Sequence, residues 1–121
     1  MLKKLITGVL LICLSTYSLQ ATYPNKPVKI IVHTKPGGAV DLMAQQFAQI
    51  AGQKYDQSFV VVNKPGGSGL LALANVYNEK ADGYTLLAFP AAYLALIQTT
   101  NVGFGLDDFE YHTFVTIVFF K

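Results

Sequence analysis

The tetrapeptide Lys-Pro-Gly-Gly occurs twice in this chain, at Lys35–Gly38 and again, 29 residues later, at Lys64–Gly67. Each copy follows a β-branched run (VKIIVHT, then SFVVVN) and precedes an apolar run fit for a helix (AVDLMAQQFA, then SGLLALAN). Proline removes a backbone donor and glycine opens conformations closed to other residues, so each copy ends a strand and turns the chain. A strand, a Pro-Gly-Gly turn and a helix, repeated, bury their apolar faces as parallel strands joined by helical crossovers.

The flanking segments fit that plan. YPNKPVKIIVHT begins as a two-proline linker and continues through Val28, Ile30, Ile31 and Val32 as a buried strand. In AVDLMAQQFAQIAGQ, Val40, Met43, Ala44, Phe47, Ile50 and Ala51 fall at helical spacing. Gln45, Gln46, Gln49 and Gln53 lie mostly opposite, and Gly52 marks a helix end. SFVVVN reads as a strand covered on both faces, and SGLLALANVYNEK as a helix with Leu70, Leu73, Ala74 and Tyr77 inward. ADGY is a turn, YTLLAF a third strand, and PAAYLALIQ a third helix opened by Pro90. TTNVGFGLDDFE reads as loop and TFVTIVFF as a fourth strand. The predicted fold is α/β, a largely parallel open sheet with right-handed βαβ crossovers. Parallel strands end at one edge, so both glycine turns lie there, where open α/β sheets bind ligands.

The N-terminus is of a different kind. MLKKLITGVLLICLSTYSLQA has two lysines, an apolar run from Leu5 to Leu14 and a polar end at Ala21, which predicts a secretory signal over residues 1–21. The run is much shorter than the roughly 20 residues that span a bilayer. Ile12 before Cys13 is too bulky for lipoprotein processing. Residues 22–121 carry seven lysines, seven acidic residues and no arginine, so their formal charge is zero. That balance disfavours nucleic acid as a partner. Cys13 leaves with the signal, so residues 22–121 hold no thiol for a disulfide, a metal or catalysis. His33 and His112 lack further ligands at metal spacing, and no Ser-His-Asp or paired-carboxylate arrangement is present. No cofactor, no metal and no enzymatic activity is expected.

A helix N-terminus offers unpaired N–H groups and about half a positive charge. Glycines let a ligand reach those donors, so two such turns side by side can cradle an anion. Each turn alone is also explained as chain reversal. Ser68 reads as a hydroxyl donor or as a helix cap. Asp41 reads as a partner of the helix dipole or as a holder of a ligand water or ammonium. Lys35 and Lys64 are solvated, or steer anions weakly. Neither turn matches a phosphate loop. GGSGLLA approaches a dinucleotide fingerprint but has no acid at the expected offset.

At these residues the chain resembles the N-terminal portion of extracytoplasmic solute-binding receptors of the tripartite tricarboxylate transporter type, the Bug receptors. The resemblance runs from about Tyr23 to Phe109, through P-x-x-P, PGG-x-x-D, N-K-P-G and D-G-Y-T-L-L. It implies a periplasmic two-lobed Venus flytrap that binds small di- or tricarboxylates or amino acids and delivers them to membrane transporter subunits. The carboxylate would be held by Gly37, Gly38, Ala39 and Asp41 in the first turn and by Gly66, Gly67, Ser68 and Gly69 in the second. Ala91 would contribute from the third loop, where FPAA stands in place of the family's usual hydroxyl residues. Residues 22–121 would then be an incomplete first lobe with no second lobe. The alternatives are a receptor fragment without binding activity of its own, or an enzyme using the same anion pocket.

Overall fold

In a computed structural model of the chain, residues 22–112 and 117–120 are described. The predicted secretory signal and residues 113–116 of the predicted fourth strand lie outside them. The first strand, β1 (Val28–Val32), pairs in parallel with β2 (Phe59–Asn63) on one side and with β3 (Thr85–Ala88) on the other. Helix α1 (Ala39–Tyr55) connects β1 to β2, and α2 (Leu70–Tyr77) leads toward β3. A 3-10 turn at Ala91–Tyr93 opens α3 (Leu94–Thr99). The sheet order is β2-β1-β3-β5-β4, where β4 is Phe109–His112 and β5 is Ile117–Phe120.

Successive strand residues point to opposite faces, and this sheet is covered on both. On one face Val28, Ile30, Val32, Leu86 and Ala88 pack against Ala44 and Ala48 of α1. On the other, Ile31 and Leu87 meet Ala72, Leu73 and Val76 of α2, Ile97 of α3, Phe89 and Phe109. β1 and β3 need apolar side chains on both faces, which is why they read as unbroken apolar runs. α1 approaches closely because small residues, Ala44, Ala48 and Ala51, form its buried stripe together with Asp41.

Several expectations change. β3 and β5 run antiparallel, as do β5 and β4, so a parallel three-stranded core carries an antiparallel extension. The stretch read as loop holds a 3-10 turn at Leu106–Asp108 and the start of β4. β2 is an edge strand with Val60 exposed, because no further strand covers it among the described residues. α1 passes through Gly52 and stops at Asp56, whose left-handed φ of 50° caps the helix. Ile50 is 66% exposed, since the close Ala stripe turns it to solvent. In α2 the buried residues are Ala72, Leu73 and Val76, while Tyr77 stacks on Phe104 at 5.0 Å. Leu73 and the half-buried Leu70 pack on the core as expected, while Ala72 and Val76 replace Ala74 and Tyr77 in the buried stripe.

The two-proline segment is not a free linker. The Tyr23 hydroxyl donates to the Gly83 carbonyl at 2.6 Å, and the Tyr84 hydroxyl donates to Asn25 Oδ1 at 2.8 Å. Lys26 pairs with Asp82 at 2.9 Å and lies 4.1 Å from the Tyr84 ring centroid. These contacts fasten the segment to the ADGY turn, where β1 and β3 begin, opposite the glycine turns. Half-exposed ion pairs of this kind contribute about 0–1 kcal/mol each, so the aromatic contacts carry much of the attachment.

Candidate functional site

Val32 is level with both Asn63 and Ala88, so the three parallel strands end together. The turns that follow leave the same sheet edge side by side, as predicted from the repeat. The Lys64 N–H donates to the Val32 carbonyl at 2.7 Å and carries the pairing one step past β2.

In the first turn Gly37 has φ 85°, a left-handed conformation suited to glycine, and Gly38 is the N-cap of α1 in extended backbone. Their amides are engaged within the turn: Gly37 N–H donates to Asp41 Oδ2 at 2.8 Å and Gly38 N–H to the Lys35 carbonyl at 3.3 Å. No side chain caps the helix from Gly38. Among the described residues, the N–H groups of Ala39, Val40 and Asp41 meet no backbone acceptor outside the helix. Of these, Ala39 and Val40 carry the donors this turn presents, since Asp41 is fully buried.

The second turn is built differently. Gly66, Gly67, Ser68 and Gly69 all have positive φ, at 141°, 53°, 52° and 97°. The left-handed backbone of Ser68 costs roughly 1–2 kcal/mol, since its Cβ crowds the carbonyl. It is exposed, and its side chain caps neither the 3-10 turn nor α2, which removes the capping role expected of it. Gly69 N–H closes back on the Gly66 carbonyl at 2.9 Å, while the N–H groups of Gly67 and Ser68 meet no acceptor among the described residues. Successive outward N–H groups in such a turn form a concavity for anions.

Asp41 joins the two turns. It is fully buried, so it does not reach a ligand, its water or an ammonium group, as one of its two expected roles required. Its Oδ2 accepts from Gly37 N–H and from Gln45 Nε2, both at 2.8 Å. Its Oδ1 accepts from Asn63 Nδ2 at 2.7 Å, and Asn63 Nδ2 also donates to the Thr34 carbonyl at 3.1 Å. The Gly37 N–H and then the Asn63 amide hold the Asp41 carboxyl below its ordinary value of 3.8, opposed by burial and aided by Gln45. Sequence reasoning does not single out Asn63. Its signals are its place in the N-K-P-G motif and a polar residue closing an apolar strand directly before the second KPGG.

The third loop supplies an apolar wall, and the N–H groups of Ala91 and Ala92 at its 3-10 turn meet no backbone acceptor among the described residues. Phe89 is 1% exposed, with its ring 5.3 Å from His33 and 4.9 Å from Tyr93. His33 is buried beside it, its Nδ1 lying 3.4 Å from the Ala88 carbonyl, which makes it a packing residue. A Cβ on Gly69 would come within 3.2 Å of the Phe89 ring, so the second turn rests directly on this cluster. Ala91 is exposed at the same edge and brings no polar side-chain atom. Lys35 is exposed and Lys64 half-buried. Among the described residues no cluster of His, Cys, Asp and Glu could hold a metal, and no helix is long and apolar enough to cross a membrane.

No family model matches the chain. The protein BugT of Bordetella pertussis is 39% identical over 66 residues, covering 54% of this chain and 20% of BugT. A TctC solute-binding protein from Polaromonas, solved without ligand, superposes with a TM-score of 0.63 at 32% identity, over 73% of this chain and 31% of that one. An R. palustris protein solved with adipate superposes with a TM-score of 0.57 at 28% identity, over 75% of this chain and 27% of its own. The chain spans about a quarter of the length of the curated relatives it matches. Over the portion it shares with them, the chain is similar in sequence and fold to the Bug and TctC solute-binding proteins.

Proposed function

We propose that the chain is exported through residues 1–21 and that residues 22–121 bind the carboxylate of a small solute in the periplasm, as part of a receptor serving membrane transporter subunits. The carboxylate sits at the C-terminal edge of the sheet, between the N–H groups of Ala39 and Val40 at the start of α1 and those of Gly67 and Ser68. The observation that carries this reading is the pair of uncapped turns leaving adjacent strands at one level, joined through Asp41 and Asn63. A neighbour solved with adipate is consistent with it. Gly37, Gly38, Gly66 and Gly69 act by backbone conformation and by leaving the approach open. Ser68 adds its hydroxyl from a strained position, a pattern common at ligand clamps. The reaction is binding and release, with no bond made or broken.

These residues grip a solute from one side. Residues 22–121 on their own are therefore expected to bind adipate, citrate and glutamate too weakly for calorimetric titration to resolve, and a micromolar or tighter affinity would overturn this. Where millimolar binding is measurable by NMR, Gly37→Val and Gly67→Val are each expected to abolish it, because both positions have positive φ and border the donors. Unchanged affinity in both variants rules out the twin-turn site. Ser68→Gly separates the serine's two effects: it should stabilise the chain by up to about 1 kcal/mol and weaken carboxylate binding.

A further inference from the structure

Beside the second turn lies an open cleft of about 350 Å³, lined by Ser68, Ala92, Tyr93, Ala95, Leu96 and Thr99. It adjoins the donors proposed for the carboxylate, because Ser68 belongs to both, and Gly69 packs on the Tyr93 ring. None of the six side chains is charged. The Thr99 hydroxyl is turned back onto the carbonyls of Ala95 and Leu96, at 2.9 and 3.4 Å. The hydroxyls of Ser68 and Tyr93 therefore remain as the polar side-chain groups free to face a ligand there, and both are neutral. The other walls are two alanine methyls, a leucine and an aromatic ring.

From this chemistry we infer that the cleft takes the apolar body of the solute, and that the chain favours monocarboxylates with an aromatic or branched aliphatic body over di- and tricarboxylates. The inference rests on the carboxylate grip proposed above and narrows it. A ligand anchored by one carboxylate at Gly67 and Ser68 extends along the 3-10 turn and α3. A phenyl or alkyl group there leaves water for methyl and ring contacts, which is favourable. A second carboxylate in the same place loses hydration and finds no cation, only the neutral hydroxyls of Ser68 and Tyr93, which is costly. The volume falls within the roughly 300–1,000 Å³ of small-molecule sites.

The test is an NMR titration of the isotopically labelled exported chain with phenylacetate, acetate and malate, followed at backbone amides. Phenylacetate is expected to bind at least about tenfold more tightly than acetate or malate, in keeping with burial of a ring. It should shift Gly67, Ser68, Tyr93 and Leu96 together, whereas acetate and malate shift the turn amides alone. In Ala95→Glu, an exposed position on α3 where Glu is a good helix former, the phenylacetate advantage should disappear while acetate binding stays. Malate or citrate binding as tightly as phenylacetate would overturn the inference and leave the carboxylate grip standing. Phenylacetate shifting α3 without the turn would overturn it too. If no carboxylate moves the turn amides, the grip itself falls and takes the inference with it.

Discussion

Replacing Asp41 with Ala is expected to lower the melting temperature by roughly 10 °C or more, an effect beyond that of most single surface changes. The substitution strips partners from the Gly37 N–H and the Asn63 amide and frees the Gln45 amide, and it leaves a hollow beside the fully buried position. A half-buried donor such as the Asn63 amide, left without its acceptor, recovers only part of its hydration. Asp41→Asn is nearly as damaging despite its shape. Both carboxylate oxygens face donors, so whichever way the new amide is turned, its NH2 meets an N–H. Pairing it with Asn63→Asp restores one of these contacts, since the amide at position 41 then donates to a carboxylate at position 63. The rescue is partial because that second carboxylate faces the Thr34 carbonyl, which the Asn63 amide satisfies in the native chain.

The pH dependence has a definite sign. Folding lowers the Asp41 pKa below 3.8, chiefly through the Gly37 N–H, so its contribution is present above that value and is lost as the pH falls through the lowered one. The stability gap between the native chain and Asp41→Asn should hold from pH 7 to about 5 and narrow below 3.8, the window set by linkage. Asp82 is also lowered, first by its hydrogen bond to Lys26 and then by the Tyr84 N–H. It is present in both proteins and cancels in the difference. Thermal melts across that range check the prediction, and a gap independent of pH would show that the Asp41 charge contributes nothing. The same substitution should loosen the second turn in hydrogen exchange at Gly67 and Ser68, because Asn63 leads directly into it.

The doubled KPGG makes the core topology legible. It implies adjacent parallel strands ending together, and Val28–Val32, Phe59–Asn63 and Thr85–Ala88 do so. The role of Asp41 is less accessible, because its partner Asn63 is 22 positions away and only the folded chain brings them together. Which amides stay free is equally hidden. A glycine amide reads as an available donor in any turn, but Gly37 and Gly38 are satisfied locally, and the free donors are one residue further on. The antiparallel strand Phe109–His112 is masked because Gly103, Gly105 and two aspartates make its surroundings read as loop. The helix Leu70–Tyr77 packs Leu70 and Leu73 on the core as its periodicity implies, with Ala72 and Val76 completing the buried stripe in place of Ala74 and Tyr77.

The apolar side of the site offers the second large effect. Phe89→Ala is expected to cost about 3–5 kcal/mol, a large share of the roughly 5–15 kcal/mol by which ordinary domains are stable. Phe89 is the largest fully buried side chain described, and it is shared between the sheet core, His33 and Tyr93. Phe89→Leu keeps most of the volume and should cost about 1.5 kcal/mol or less, measurable by urea unfolding. The informative comparison adds Gly69. Alone, Gly69→Ala suffers twice: its φ of 97° strains any side chain, and the new Cβ meets Phe89 Cε2 at 3.2 Å. In the Phe89→Ala background the second penalty vanishes and the first remains. The double variant should therefore lose less stability than the two single losses added together. Strict additivity would mean that the second turn does not rest on the Phe89 ring. A coupling would show that the loop after the third strand supports the anion-facing turn through packing, with no polar side chain taking part.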